Sequence, residues 1–206
     1  MARLPWGTGP RTTRTHLGST PMTVRILALV GSLRAASHNR QLAEAAVRLA
    51  PEGVEVALHE GLASVPFYNE DVDVEGDVPG AAAELRRAVG DADALLLFSP
   101  EYNGTIPAVL KNAIDWLSRP FGAGALSGKP VAVVGTAFGQ YGGVWAQDEA
   151  RKAVRIAGAA VADDLTLSIP ASVTRFAETH PVDDAEVTAR LVEVLAGLAG
   201  RVGVAA

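Results

Sequence analysis

Seven consecutive residues, Val24 to Val30 (VRILALV), form a short and almost continuous apolar run, as expected of a strand buried on both faces. The period then changes. From Asn39 to Ala50, Leu42, Ala45, Ala46 and Leu49 recur on one face of a helix that Pro51 and Gly53 stop. Val54 to Leu58 reads as a second strand, and a turn-rich passage runs from Gly61 to Pro79. Ala82, Leu85 and Val89 share one face of a helix over Ala81 to Val89, which Gly90 is expected to end. Ala94 to Phe98 (ALLLF) is a third buried strand, and Ile106, Leu110, Ala113, Ile114 and Leu117 trace the stripe of the helix that follows. Val131 to Val134 supplies a fourth strand, and a helix is expected after Gly143. Leu165, Leu167 and Ile169 alternate with polar residues, which suits a fifth strand nearer a sheet edge. Val187, Leu191, Val194, Leu195 and Leu198 mark a closing amphipathic helix. Strands alternating with helices in this way predict an α/β domain, a doubly wound five-stranded parallel sheet in three α/β/α layers. No internal repeat and no second domain is visible.

The periodicity starts only at Thr23. Residues 1–22 mix Gly, Pro, Thr and Arg, carry Arg3, Arg11 and Arg14 with no acidic residue, and follow neither period. They lack the apolar h-region of a signal peptide, and Pro5, Gly7, Gly9 and Pro10 would spoil the amphipathic helix of a transit peptide. The expected organisation is a disordered extension over 1–22, one domain over 23–200 and a short tail over 201–206.

Composition narrows the function classes. The 206 residues are 49% hydrophobic with a net charge of −5 and no cysteine. Such a chain has no disulfide scaffold, thiol nucleophile, iron–sulfur cluster or Cys-type zinc finger. Its acidic balance argues against nucleic acid, which attracts Lys and Arg clusters, and no apolar run is long enough to span a membrane. A reducing, cytoplasmic setting fits.

Ligands of such sheets bind beyond the carboxyl ends of the strands, where strand order reverses, so the loops after the first, third and fourth strands matter most. The first loop, Gly31 to Asn39 (GSLRAASHN), offers hydroxyls at Ser32 and Ser37, an amide at Asn39 and a guanidinium at Arg34. It has neither the glycine pattern of dinucleotide binders nor a Gly-Lys-Ser/Thr ending. A helix N-terminus with hydroxyls and one arginine suits a phosphate monoester. Equally, Ser37 or Asn39 can simply cap the helix while Arg34 is solvated. The second loop, Ser99 to Thr105 (SPEYNGT), has Gly104 for a close approach or positive φ, Thr105 as a helix cap, and Tyr102 as an aromatic face for a flat heterocycle. An ordinary turn with a rim tyrosine is the bland reading.

Two longer segments, GSLRAASHNRQLA and SPEYNGTIPAVLKNAIDWLSRP, resemble the signature segments of the NADPH-dependent FMN reductase family. The resemblance extends from Val24 to about Ala199 and implies a flavodoxin-like fold. It implies that Ser32, Arg34, Ser37 and Asn39 hold the phosphate of FMN, and that Pro100, Glu101, Tyr102, Asn103 and Gly104 line its ring, largely through backbone groups. The third loop, Gly135 to Gly143, resembles the family's small-residue turn near the ring, with Thr136 as a hydroxyl donor and Phe138 and Tyr141 at the substrate mouth or a subunit interface. The implied activity is hydride transfer from NAD(P)H, as co-substrate, through noncovalent FMN to quinones, flavins, azo compounds or similar small electron acceptors. Members are commonly dimers or tetramers, so a homodimer or homotetramer is expected. A flavodoxin-type electron carrier and a non-catalytic FMN-binding regulatory module are the competing classes.

Other chemistry-bearing residues read as structural. The histidines at 16, 38, 59 and 180 show no metal-ligand spacing, and His38 reads as a solvated spacer. Asp71, Asp73, Glu75 and Asp77 read as a solvated acidic turn, lacking the spacing of a calcium loop. Trp116 and Trp145 read as packing or interface residues. No catalytic acid, base or metal is expected, because ring positioning alone brings nicotinamide and flavin together.

Overall fold

The computed structural model describes residues 23–203, so the expected extension and the end of the tail lie outside the described residues. The five strands are β1 (Val24–Val30), β2 (Val54–Leu58), β3 (Ala94–Phe98), β4 (Pro130–Thr136) and β5 (Ala160–Ile169). They pair in parallel in the order β2-β1-β3-β4-β5. Helices α1 (His38–Arg48), α2 (Gly80–Asp91), α3 (Ala108–Leu117), α4 (Val144–Ile156), α5 (Ser172–Arg175) and α6 (Ala185–Ala199) complete the chain. This is the flavodoxin-like doubly wound arrangement, with its switch point between β1 and β3.

Alternation along the strands explains the two cores. Leu27, Leu29, Leu95, Leu97, Val131 and Val133 face α2, α3 and α4, while Ile26, Ala28, Leu96, Phe98, Ala132 and Val134 face α1 and α6. All five residues of β3 are buried, as a central parallel strand requires.

Three local expectations are corrected. Helix α2 runs through Gly90 to Asp91 rather than stopping before it, because the backbone there stays helical until Ala92 closes the last turn. Thr105 does not cap α3: Pro107 stands at that position without a side-chain cap, and the Thr105 hydroxyl donates to the Glu149 carboxylate of α4 instead. The acidic turn is not wholly solvated, because Asp73 accepts two hydrogen bonds from Arg86 at 2.7 and 2.8 Å. Arg86 in turn lies over the Trp116 ring and donates to the Trp116 carbonyl, which fastens the turn to α3. Those bonds hold the Asp73 carboxyl below its ordinary range. Trp116 is fully buried, in keeping with its reading as a packing residue.

Candidate functional site

Helix α1 begins directly after the first loop. Ser37 is its N-cap, and the buried hydroxyl oxygen accepts from the Arg40 N–H at 3.3 Å. The first turn holds no acidic residue, so the positive end of the helix dipole and the N–H groups of His38 and Asn39, ahead of those bonded to Ser37, suit an anion. Arg40 is committed elsewhere, to Glu44 at 3.0 Å and to both oxygens of Glu60 at 2.7 Å. Arg34 is exposed on the loop and makes no ion pair among the described residues. His38 sits at the first helical position, 5.7 Å from the Phe176 ring. Partial burial and, secondarily, the Arg34 charge push its imidazole below the usual range, so it is neutral at pH 7.

The second loop folds into a tight turn. Tyr102 and Thr105 exchange backbone hydrogen bonds at 3.3 and 3.2 Å across Asn103 and Gly104, both in the left-handed region. Asn-Gly is the pair that tolerates two successive positive φ angles. This presents Tyr102, 51% exposed, at the carboxyl end of the sheet.

These loops are tied together pairwise. The first meets the second at Gly31, where a Cβ would lie 3.2 Å from Pro100 Cδ. The first meets the third through Asn39, whose Nδ2 donates to the Thr136 carbonyl at 2.8 Å and whose Oδ1 accepts from the Thr136 N–H at 3.0 Å. The Thr136 hydroxyl is turned to β5, donating to Ile169 O at 2.8 Å. The second meets the helix that follows the third through Glu101, which accepts from the Ala146 N–H at 3.2 Å in the first turn of α4. Gly135 makes the close packing possible, since a Cβ there would meet Ser99 O at 2.2 Å.

Among the residues singled out in the sequence, Ser32, Arg34 and Ser37 thus surround the α1 N-terminus. Pro100, Glu101, Tyr102, Asn103 and Gly104 form the neighbouring turn. Asn39 and Thr136 are both buried, and their polar groups hold the loops to each other. Sequence reasoning missed Gln147, which is wholly buried, donates to Gly142 O at 3.1 Å and accepts from the Ser168 hydroxyl at 2.8 Å. Its position in an ordinary helical pattern gave no signal of that role.

A phosphate monoester needs hydrogen-bond donors, positive charge and no competing carboxylate, and the α1 N-terminus meets all three requirements. The fold and the site therefore define a flavodoxin-like domain suited to a single-phosphate nucleotide. Comparison with known proteins carries this further. Residues 24–174 match the family model described as NADPH-dependent FMN reductase. A 2-hydroxy-1,4-benzoquinone reductase of Burkholderia sp is 42% identical over 130 residues, 63% of this chain and 69% of that protein. A quinone reductase of Pseudomonas putida is 42% identical over 129 residues, 63% of this chain and 68% of that one. In structure, the chain is similar to FerB, a flavoenzyme NAD(P)H:(acceptor) oxidoreductase from Paracoccus denitrificans. That likeness has a TM-score of 0.77 and 30% identity, covering 87% of this chain and 97% of the other. The chain belongs to the NADPH-dependent FMN reductase family. It is an oxidoreductase with FMN as cofactor and NAD(P)H as co-substrate.

Proposed function

We propose that this chain reduces small, flat electron acceptors, quinones foremost and also free flavins and azo compounds, at the carboxyl end of its sheet. Bound FMN supplies the redox chemistry, passing reducing equivalents from NAD(P)H to the acceptor. Ser32, Arg34, Ser37 and the first-turn N–H groups of α1 hold the phosphate. Pro100 to Gly104 flank the ring, with Tyr102 as its aromatic neighbour. Asn39 and Thr136 act from behind, fixing the spacing between the phosphate loop and the ring loops. The contribution of the protein is positioning, so no side chain is assigned a proton-transfer step.

The observation that carries this reading is the contact of two loops across the β1/β3 switch point. The loop that carries the exposed Arg34 and leads into the α1 N-terminus packs, at Gly31, against Pro100 of the loop that carries the Asn-Gly turn and an exposed tyrosine. The names of the relatives support quinones as acceptors. We further propose a cytoplasmic homodimer or homotetramer in which residues 23–200 form the working domain and 1–22 are dispensable. Among the described residues, no helix is long and apolar enough to cross a membrane.

Two measurements test the function. Heating the purified protein should release FMN rather than FAD, because the loop lacks the glycine pattern for a pyrophosphate. NAD(P)H oxidation should then be compared with menadione, with free FMN and with neither. Turnover with menadione supports the reading, and a protein that binds no FMN removes its basis.

A further inference from the structure

The third loop carries two exposed aromatic side chains, and the structure separates them. Tyr141 packs on Trp145 of α4, with ring centroids 5.2 Å apart. Phe138 is 77% exposed and has no ring partner among the described residues. A single solvated phenylalanine is ordinary in itself. What distinguishes this one is the backbone beneath it.

The residues on both sides of Phe138 are fastened to the end of β5. The Ala137 N–H donates to Ile169 O at 3.2 Å, and Ala137 O accepts from the Ser172 N–H at 3.0 Å. Gly139 O accepts from the Gly142 N–H at 3.2 Å, and Gly142 O accepts from buried Gln147, which is itself bonded to Ser168. A Cβ on Gly142 would lie 2.7 Å from Ile169 N, so the loop packs on β5 without a gap. Phe138 therefore stands on a fixed platform although its ring faces water. A side chain whose backbone is already ordered loses less entropy when a flat molecule covers it.

Its place is set by the neighbouring loop. A Cβ on Gly143 would lie 3.4 Å from Ala137 Cβ and 3.7 Å from Glu101 Cβ, so those two residues meet at one point. The next residue of each segment is an exposed aromatic, Tyr102 after Glu101 and Phe138 after Ala137. The flavin ring is assigned to Tyr102 and its turn, which leaves Phe138 as a second aromatic surface at this edge of the slot.

Charge narrows what that surface can receive. Residues 135–143 (GTAFGQYGG) contain no acidic or basic residue, and the second loop contains no cation. Its one carboxylate, on Glu101, is taken up by the Ala146 N–H at 3.2 Å. Arg34 is assigned to the phosphate. A neutral, extended aromatic molecule suits such surroundings, whereas an oxyanion finds no charge partner in either loop.

We infer that Phe138 is a specificity-determining residue for the acceptor, stacking on the second fused ring of a neutral two-ring quinone. This reading rests on the proposed function. Full-length, FMN-loaded protein is assayed with menadione, which has two fused rings, and with 1,4-benzoquinone, which has one. Phe138→Ala should raise the KM for menadione about three- to tenfold more than that for 1,4-benzoquinone, the loss expected of one aromatic contact. Phe138→Tyr keeps the ring and should retain the wild-type preference. Phe138→Leu is apolar without a ring and should not. With NAD(P)H left out, dissociation constants read from the flavin absorbance as each quinone is added should follow the same pattern. Because the side chain is exposed, thermal unfolding and light scattering should not distinguish Phe138→Ala from wild type. Equal shifts for the two quinones, or a Leu variant as selective as wild type, would overturn the inference. A changed assembly state in the Ala variant would overturn it too, since Phe138 would then be an interface residue. A wild-type protein that reduces neither quinone would instead refute the proposed function, and the inference would fall with it before any variant is compared.

Discussion

The side-chain amide of Asn39 closes on the backbone of Thr136, donating to its carbonyl and accepting from its N–H across 97 residues of chain. The pair spans the end of β3, so the first turn of α1 and the end of β4 move as one piece. Both residues are buried, which raises the cost of leaving either backbone group unpaired. An amide suits this position because it offers a donor and an acceptor side by side.

Replacing Asn39 separates this role from phosphate binding. Asn39→Ala strands the N–H and the carbonyl of Thr136, each costing about 1–3 kcal/mol if buried without a partner. Urea unfolding of the FMN-saturated protein should therefore show a marked loss of stability. Asn39→Asp keeps an acceptor for the N–H but opposes the carbonyl and adds negative charge at the helix N-terminus, so FMN affinity should fall as well. An Ala variant of unchanged stability with weakened FMN binding would return Asn39 to the role of a phosphate ligand.

The same pair marks what the sequence could and could not convey. β1, β2 and β3 were legible to the residue because VRILALV, VEVAL and ALLLF are short apolar runs between turn residues. The first half of β5 was not. Ala160 to Asp164 carries two aspartates, and the register shifts between Val131 and Val133 on its partner strand. Arg155 and Arg201 pair with Asp163 and Asp164 there, a tertiary arrangement that no local period announces. Helix α5 escaped notice because it has four residues and starts from Ala171 at φ 53°. In the site, the loop residues stood out by type. The commitments of Asn39 and Glu101 did not, since each depends on a partner brought in by the fold.

Arg34 should govern FMN affinity and not turnover. Its guanidinium is exposed beside a helix start without acidic residues, so Arg34→Ala removes the one arginine of that loop. Charge-assisted hydrogen bonds of this kind predict a roughly 10- to 100-fold loss of FMN affinity. Arg34→Lys should fall between, keeping the charge and losing the two-pronged geometry. Titration by flavin fluorescence reads the affinity, and kcat at saturating FMN should stay close to wild type. Equal affinity in the Ala variant would make Arg34 a solvated surface residue.

His59 should make the fold sensitive to mild acid. It ends the run of β2, donating its backbone N–H to Ala28 O, and its Nε2 is buried without a hydrogen-bond partner among the described residues. Burial lowers its pKa, with Glu84 and Glu60 opposing more weakly. The unfolded chain, titrating near the ordinary histidine value of about 6.5, then binds the proton first. Stability is fully present above that value and declines as pH falls toward the depressed folded pKa. His59→Leu should lose less stability than wild type between about pH 7.5 and about pH 5.5, with both proteins saturated in FMN. His38 shifts in the same direction but is common to both proteins and cancels. Parallel pH profiles would show that His59 is not the sensor.

Glu101 should act as a clasp rather than an acid. Helix α4 starts from Gly143, which has no side chain to cap it, and the Glu101 carboxylate supplies the acceptor for the Ala146 N–H. A negative charge at a helix N-terminus is favourable in itself. With the Thr105–Glu149 bond, this holds the ring-side turn against the helix that carries Trp145. Glu101→Gln retains an acceptor oxygen, so its effects should be small. Glu101→Ala removes the cap, at about 1 kcal/mol of stability, and lets the turn drift from α4. FMN affinity should change little, because the phosphate is assigned to the first loop, whereas KM for the acceptor should rise. Rapid-mixing measurements of flavin reduction by NAD(P)H separate positioning from proton transfer. A Gln variant that binds FMN fully and reduces it at the wild-type rate upholds the clasp. If that variant instead bound FMN but could not be reduced, Glu101 would be supplying a proton, and the assignment of positioning alone to this loop would have to be given up.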